Sequence, residues 1–214
     1  MNRDRQYVTL AAPGSARLES RRSVFIAASG AVASAAEAEA FVADQRERYP
    51  DARHHCYAWR SGLPGEMQQQ KYSDDGEPSG TAGLPILSCL EGPGLTNAVV
   101  VVTRYFGGTL LGTGGLVHAY GSAAAQAVSA AGTVHMRLMR ALELTVDYKV
   151  YDGLVRGLAS SGWFMDEADY GARVSFTLWV PPGEVDHATA RLNDLTMGSV
   201  DIQEGSVRYM PAGA

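Results

Sequence analysis

The chain has 214 residues, which at about 150 residues per domain is one large domain or two small ones. Apolar residues make up 46% and charged residues 19%, a globular balance that excludes a disordered or fibrous chain. The net charge is −5, so no whole-chain positive field draws the protein onto nucleic acid or anionic lipid, and any RNA contact has to be local.

In chain order, 7–10 and 24–28 read as short strands around a turn-prone segment with Pro13 and Gly14. Ser34 followed by Glu37 is a capping-box signature, and the spacing of Ala36, Ala40 and Phe41 continues as a helix until Pro50. The aromatic alternation at 54–59 predicts a strand with His54 and Cys56 on one face and His55 on the other. From 60 to 79 the chain reads as a polar loop, and loops of that length in compact domains are functional or disordered. An apolar pattern over 81–91, a buried strand over 97–105, a loop over 106–112 and an Ala-rich helix over 116–131 follow, with Gly132 at the helix stop.

Beyond Gly132 the pattern becomes strand 138–146, helix 148–160, strands 163–169 and 174–180, helix 185–195 and strand 200–209. This β-α-β-β-α-β order is ferredoxin-like. The chain is therefore expected to be α+β with two domains, 1–136 and 137–214. The first carries 11 basic and 12 acidic residues and the second 7 and 11, which makes the second the acidic one. An RNP1-type aromatic string is missing from it, so an RNA-recognition sheet is not expected there.

Cys56 and Cys89 lie in neither a CxxC nor a zinc spacing and are expected to be reduced and buried. No apolar h-region of secretory length follows Met1, and the run 98–102 is far shorter than the roughly 20 residues of a membrane helix. A cytoplasmic protein with no membrane contact is expected.

Two glycine-rich segments carry the candidate chemistry. The first is Ser73-Asp74-Asp75-Gly76-Glu77-Pro78-Ser79-Gly80-Thr81-Ala82-Gly83. Asp74, Asp75 and Glu77 are oxygen ligands of the kind a hard divalent cation takes, but the EF-hand order fails. Their preferred role is to cap turns and a helix that begins near Thr81. The second runs from Arg104 through Tyr105, Phe106, Gly107, Gly108, Gly112, Gly114 and Gly115. It lies between a strand and a helix, where backbone N–H groups gather anions. Thr113 replaces the lysine of a P-loop and Val117 the last glycine of a dinucleotide fingerprint, so neither nucleotide motif is complete. Arg104 offers a guanidinium, and Tyr105 and Phe106 offer rings for stacking on bases; for Phe106 a core position is preferred.

DDGEPSGTAG at 74–83 and VVVTRYFGGTLLGTGGLVHAYG at 100–121, with Arg22–Ile26 and Ala52–Cys56, resemble the IMPACT family, and the two-domain layout is similar to its YigZ-like bacterial members. The resemblance implies a first domain similar to the second domain of a small-subunit ribosomal protein and to elongation-factor domain IV. It implies a second domain similar to elongation-factor domain V. Eukaryotic members regulate translation initiation by binding a ribosome-associated activator of a stress kinase. The expected function is thus a non-enzymatic translation-associated regulator without cofactor or metal. Its partner would be RNA, the ribosome or a ribosome-associated protein. The binding residues would be Arg104, Tyr105, Phe106, Gly107, Gly108, Gly112, Gly114, Gly115, His54, Asp74, Asp75, Glu77, Ser79 and Thr81. The alternative is a metal-dependent hydrolase or phosphoryl-transfer enzyme using the acidic and glycine-rich loops, which lacks an obvious nucleophile.

Overall fold

The structure, a computed structural model, describes residues 6–212. The chain divides into two compact units, one of 7–135 and one of Gln6 together with the residues from Met136 onward.

The first unit contains most of β1 (Gln6–Leu10), then β2 (Gly14–Ser20), β3 (Ser23–Ala31), α1 (Ala35–Arg48), β4 (His54–Ser61), β5 (Gln69–Ser73), α2 (Gly83–Glu91), β6 (Ala98–Tyr105) and α3 (Gly112–Ala131). Its antiparallel sheet runs β2-β3-β6-β4-β5. β6 is the central strand, and the run Ala98–Val102 is buried on both faces, which is why it is uniformly apolar rather than alternating. On one face Phe25, Ala27, Cys56, Ala58, Val100 and Val102 pack under α2 and α3. On the other, Tyr57, Trp59, Val99 and Val101 pack against Ala38 and Val42 of α1. The unit is a three-layer sandwich with α1 alone on its side.

Local chemistry sets these elements. Ser34 Oγ accepts the Glu37 N–H, and the Glu37 carboxylate accepts the Ala33 N–H, so the capping box closes one residue outside its usual partner. Small side chains on α3 let it lie close to the sheet. At Gly14 a Cβ would stand 2.1 Å from the Ala127 carbonyl oxygen, and Ser29 Oγ donates to that same carbonyl at 3.0 Å. β1 is tied to the 95–97 segment through Thr96 N–H to Val8 O and Thr9 Oγ1 to Asn97 O.

The second unit contains most of β7 (Thr133–Val146), then α4 (Tyr148–Leu158), β8 (Phe164–Met165), β9 (Asp169–Tyr170), β10 (Val174–Val180), α5 (Val185–Thr196) and β11 (Val200–Pro211). β11, β7, β10 and β8 are antiparallel neighbours in that order, with β9 also on β10. This is the strand order of a ferredoxin-like βαββαβ domain, and α4 and α5 supply Leu154, Leu158, Ala188 and Leu192 to its core. The fold is α+β with two domains.

Three expectations change. The segment read as a turn around Pro13 and Gly14 contains a full strand, β2, and the loop expected at 60–79 contains β5. The strand expected over 163–169 is split into β8 and β9. No helix among the described residues is long and apolar enough to cross a membrane.

Candidate functional site

The two glycine-rich segments meet at the end of β6. Arg104 is the second-last residue of that strand, Glu77 lies in the turn before α2, and Tyr120 lies two turns into α3. Arg104 Nη1 donates to Glu77 Oε1 at 2.5 Å, and the Tyr120 hydroxyl donates to the same oxygen at 2.7 Å. Arg104 Nη2 reaches Ser23 Oγ at 3.3 Å, and Ser23 Oγ also accepts the Gly107 N–H at 3.2 Å. The guanidinium carbon lies 5.5 Å from the ring centres of both Phe25 and Phe106, and Tyr120 meets Phe25 edge-on at 5.1 Å. Burial raises the Tyr120 hydroxyl pKa above its usual value, and its neighbours Cys56 and Glu77 add to that, so it stays protonated and donates. One buried network therefore joins the start of β3, the acidic turn, the glycine loop and α3.

Arg104 is 5% exposed, so its charge is spent inside the protein rather than presented at the surface. Phe106 goes the other way. The core position preferred from sequence is replaced by a ring 54% exposed, because β6 ends at Tyr105 and Gly107 packs against the β2–β3 turn. A Cβ at Gly107 would stand 2.0 Å from the carbonyl carbon of Arg22, a contact only glycine permits. Tyr105 is half-buried; Gly108, Gly112 and Gly114 are exposed and Gly115 is half-exposed.

The three carboxylates do not converge. Asp74 accepts the N–H groups of Gly80, Ala82 and Gly83 at 2.8–2.9 Å and so closes the start of α2, which has no other side-chain cap. Burial pushes its pKa up, but those three donors outweigh the burial and hold it below the ordinary carboxylate value. Asp75 binds Arg46 at 2.7 Å and the His55 N–H at 2.7 Å, and its carbonyl accepts the His54 Nδ1–H at 2.8 Å. Glu77 is committed to Arg104 and Tyr120. Each acid is answered by protein donors, and among the described residues no three His, Cys, Asp or Glu side chains cluster in a way that could hold a metal. Thr81 is buried with its hydroxyl on the Pro78 carbonyl, and Ser79 is exposed.

The histidines separate as the strand alternation requires. His55 Nδ1 lies 3.1 Å from Thr103 Oγ1, and burial, the largest influence, keeps its pKa below the usual value. Cys56 is buried with its thiol on the Asp74 carbonyl, and burial pushes its pKa up, so it is not a nucleophile.

Between the acidic turn and the glycine loop lies a cavity of about 480 Å³, lined in part by Arg53, His54, Arg104, Phe106, Leu110 and Thr113. Sequence reasoning missed the outer ring of this site. Arg53 is exposed on its wall, Arg21 donates to the Leu110 carbonyl at 3.2 Å, and Arg22 is exposed in the turn on which Gly107 rests. Arg22 and Arg53 stand in segments that carry the family resemblance, which was the available signal.

A family model for the Impact N-terminal domain matches residues 21–128, from the β2–β3 turn through nearly all of α3. The chain belongs to the IMPACT family. A second family model, a domain of unknown function called DUF1949, matches 144–199 in the second unit. The IMPACT family member YigZ of Escherichia coli (strain K12) is 39% identical over 192 residues, covering 90% of this chain and 94% of that protein. The IMPACT family member YvyE of Bacillus subtilis (strain 168) is 34% identical over 204 residues, with 95% and 93% covered. A crystal structure described as that of a hypothetical protein superposes with a TM-score of 0.62 at 38% identity, covering 92% of this chain and 96% of that one.

Proposed function

We propose that this IMPACT family protein is a non-enzymatic, translation-associated regulator that acts in the cytoplasm and engages the ribosome through RNA contacts of its first unit. The observation that carries the reading is the set of exposed arginines around the glycine loop. Arg21, Arg22 and Arg53 border it in a chain whose net charge is −5, and the carboxylates closest to the loop are already paired, Glu77 with buried Arg104 and Asp75 with Arg46 nearer the surface. Phosphate contacts need local cations rather than a basic chain, and an exposed ring such as Phe106 gives a stacking surface for an unpaired base. The resemblance of the family to translation-factor domains, and the part its eukaryotic members play in initiation, point to the same setting.

In this reading the residues divide by task. Arg104, Glu77, Ser23 and Tyr120 position the loop from beneath. Phe106, Gly108, Gly112, Gly114 and the three arginines form the contacting face, with His54 and Tyr105 at its border. Asp74 and Asp75 hold the acidic turn in place. Sedimentation of the protein through sucrose gradients of its own cell lysate tests the assignment. Co-migration with ribosomal particles that weakens as salt rises is expected, and migration at the top of the gradient at every salt concentration contradicts it.

A further inference from the structure

The cavity beside the glycine loop is lined mainly by apolar surface, with Phe106, Leu110 and Leu116 on its wall, and has a smaller polar margin at Arg53, His54 and the first turn of α3. Three observations converge on one kind of occupant. α3 is 20 residues long and is preceded at its cap position by Leu111, which offers no side-chain acceptor, and no acidic residue stands in its first turn. The free N–H groups and positive dipole end are therefore unanswered by the protein. Arg104, whose side chain is 6% exposed, lines the same cavity, and its buried Nε–H has no acceptor. Gly114 is the third observation. Its φ is not in the left-handed region, and a Cβ there would meet nothing within 4 Å, so neither backbone conformation nor packing requires glycine. Glycine in a helix is disfavoured relative to alanine. What Gly114 does achieve is to leave the first-turn amides bare for a ligand that approaches the backbone closely.

The acceptor wanted by such a site is a multiply charged oxyanion, and the neighbouring exposed ring wants a flat partner. Glu77 also lines the cavity, but its charge is met by Arg104 and Tyr120. A volume of about 480 Å³ is of the size of small-ligand sites in general. We propose that this cavity binds a nucleoside phosphate, with the phosphate on the N-terminal amides of α3 beside Arg53 and the base against Phe106. The proposal rests on the RNA-contact reading of this face only where the nucleotide is the end of an RNA strand; a free nucleotide has the same chemistry.

Calorimetric titration of the full chain separates the sources. The probes are AMP, adenosine, inorganic phosphate, and one hexaribonucleotide with either a 5′-phosphate or a 5′-hydroxyl end. At least a tenfold preference for AMP over adenosine is expected. A matching preference for the phosphorylated hexamer assigns the site to an RNA end, and its absence assigns it to the free nucleotide. Thr113→Asp places a carboxylate in the first turn of α3, where it favours the helix, so the variant should melt no lower than the parent while losing at least tenfold in AMP affinity. Phe106→Ala should weaken AMP several-fold and leave inorganic phosphate unchanged. Equal binding of AMP and adenosine, no binding of either, or an unchanged AMP affinity in a folded Thr113→Asp variant overturns the proposal. Ribosome co-sedimentation that survives alongside any of these results leaves the translation reading standing, whereas AMP binding without co-sedimentation removes that reading and keeps the nucleotide site.

Discussion

Arg104 and Glu77 meet at 2.5 Å with side chains 6% and 5% exposed, directly beneath the loop that gives the protein its outer face. The pair is joined by the Tyr120 hydroxyl on the same carboxylate oxygen and by Ser23 on the other side of the guanidinium. A charge pair this deeply placed gains little net stability over an apolar replacement, because desolvation offsets the attraction. Its effect is on geometry: four chain segments far apart in sequence share one set of hydrogen bonds.

The first expectation concerns that pair. Arg104→Ala or Glu77→Ala leaves the other charge buried and alone, at a cost of about 3–5 kcal/mol, while Tyr120→Phe removes one neutral donor at about 1–2 kcal/mol. Urea unfolding of the single variants and of the double variant Arg104→Ala with Glu77→Ala measures this. The double replacement should be less damaging than the sum of the single changes. Additive losses would mean that the two side chains act independently.

Asp74 has a pH signature. Its carboxyl is held below its ordinary value of 3.8 in the folded protein, so it stabilises the fold above that value, and the stabilisation is lost as pH falls through the lower, folded value. Asp74→Asn should therefore flatten the fall of the melting temperature as pH drops below 3.8. Asp74→Ala leaves three N–H donors at the start of α2 without their acceptor, at a cost near neutral pH of about 2 kcal/mol. Melting curves across pH check both, and a parallel pH profile for the Asn variant would contradict the role.

Much of the fold was legible in the sequence where burial and capping write a pattern. Ser34 with Glu37 marked the start of α1, the alternation from His54 to Trp59 set the two faces of β4, and the β-α-β-β-α-β order marked the second unit. β2 and β5 are both edge strands: β5 is polar and almost wholly exposed, held by backbone pairing that leaves little trace in composition, and β2 sets only the half-buried Ala16 and Leu18 against exposed Ser15, Arg17 and Glu19, a weak alternation next to Pro13 and Gly14. The β2–β3 turn adds to this, because Arg21 and Arg22 both take positive φ without the glycine or asparagine that signals such a turn. At the site, the glycines and acids were visible, but the partner of each acid was not. Glu77 and Arg104 are 27 positions apart, and only the fold shows that the guanidinium turns inward while Phe106 turns out.

Two glycines of the same glycine-rich segment, one in the loop and one in the first turn of α3, should respond oppositely to alanine. Gly107→Ala forces a Cβ into the backbone of Arg22 and should destabilise by about 1–3 kcal/mol or more, as overpacking does. Gly114→Ala meets open space in a helix and should stabilise by about 0.5–1 kcal/mol. Thermal unfolding of the two variants distinguishes a packing glycine from one kept for another reason; equal effects would remove the distinction.

In the proposed function the exposed arginines around the glycine loop meet phosphates of the ribosome. The most direct measurement of that contact is the salt dependence of ribosome binding for the parent and for a variant with Arg21, Arg22 and Arg53 all changed to Gln, which leaves the buried network intact. The parent should bind with an affinity that falls steeply as salt rises. The variant should keep its melting temperature, bind more weakly at low salt, and show a shallower slope, by about 2 to 3 on a log–log plot at roughly 0.7–0.9 for each phosphate that an arginine no longer neutralises. A folded variant with the affinity and slope of the parent would contradict the account.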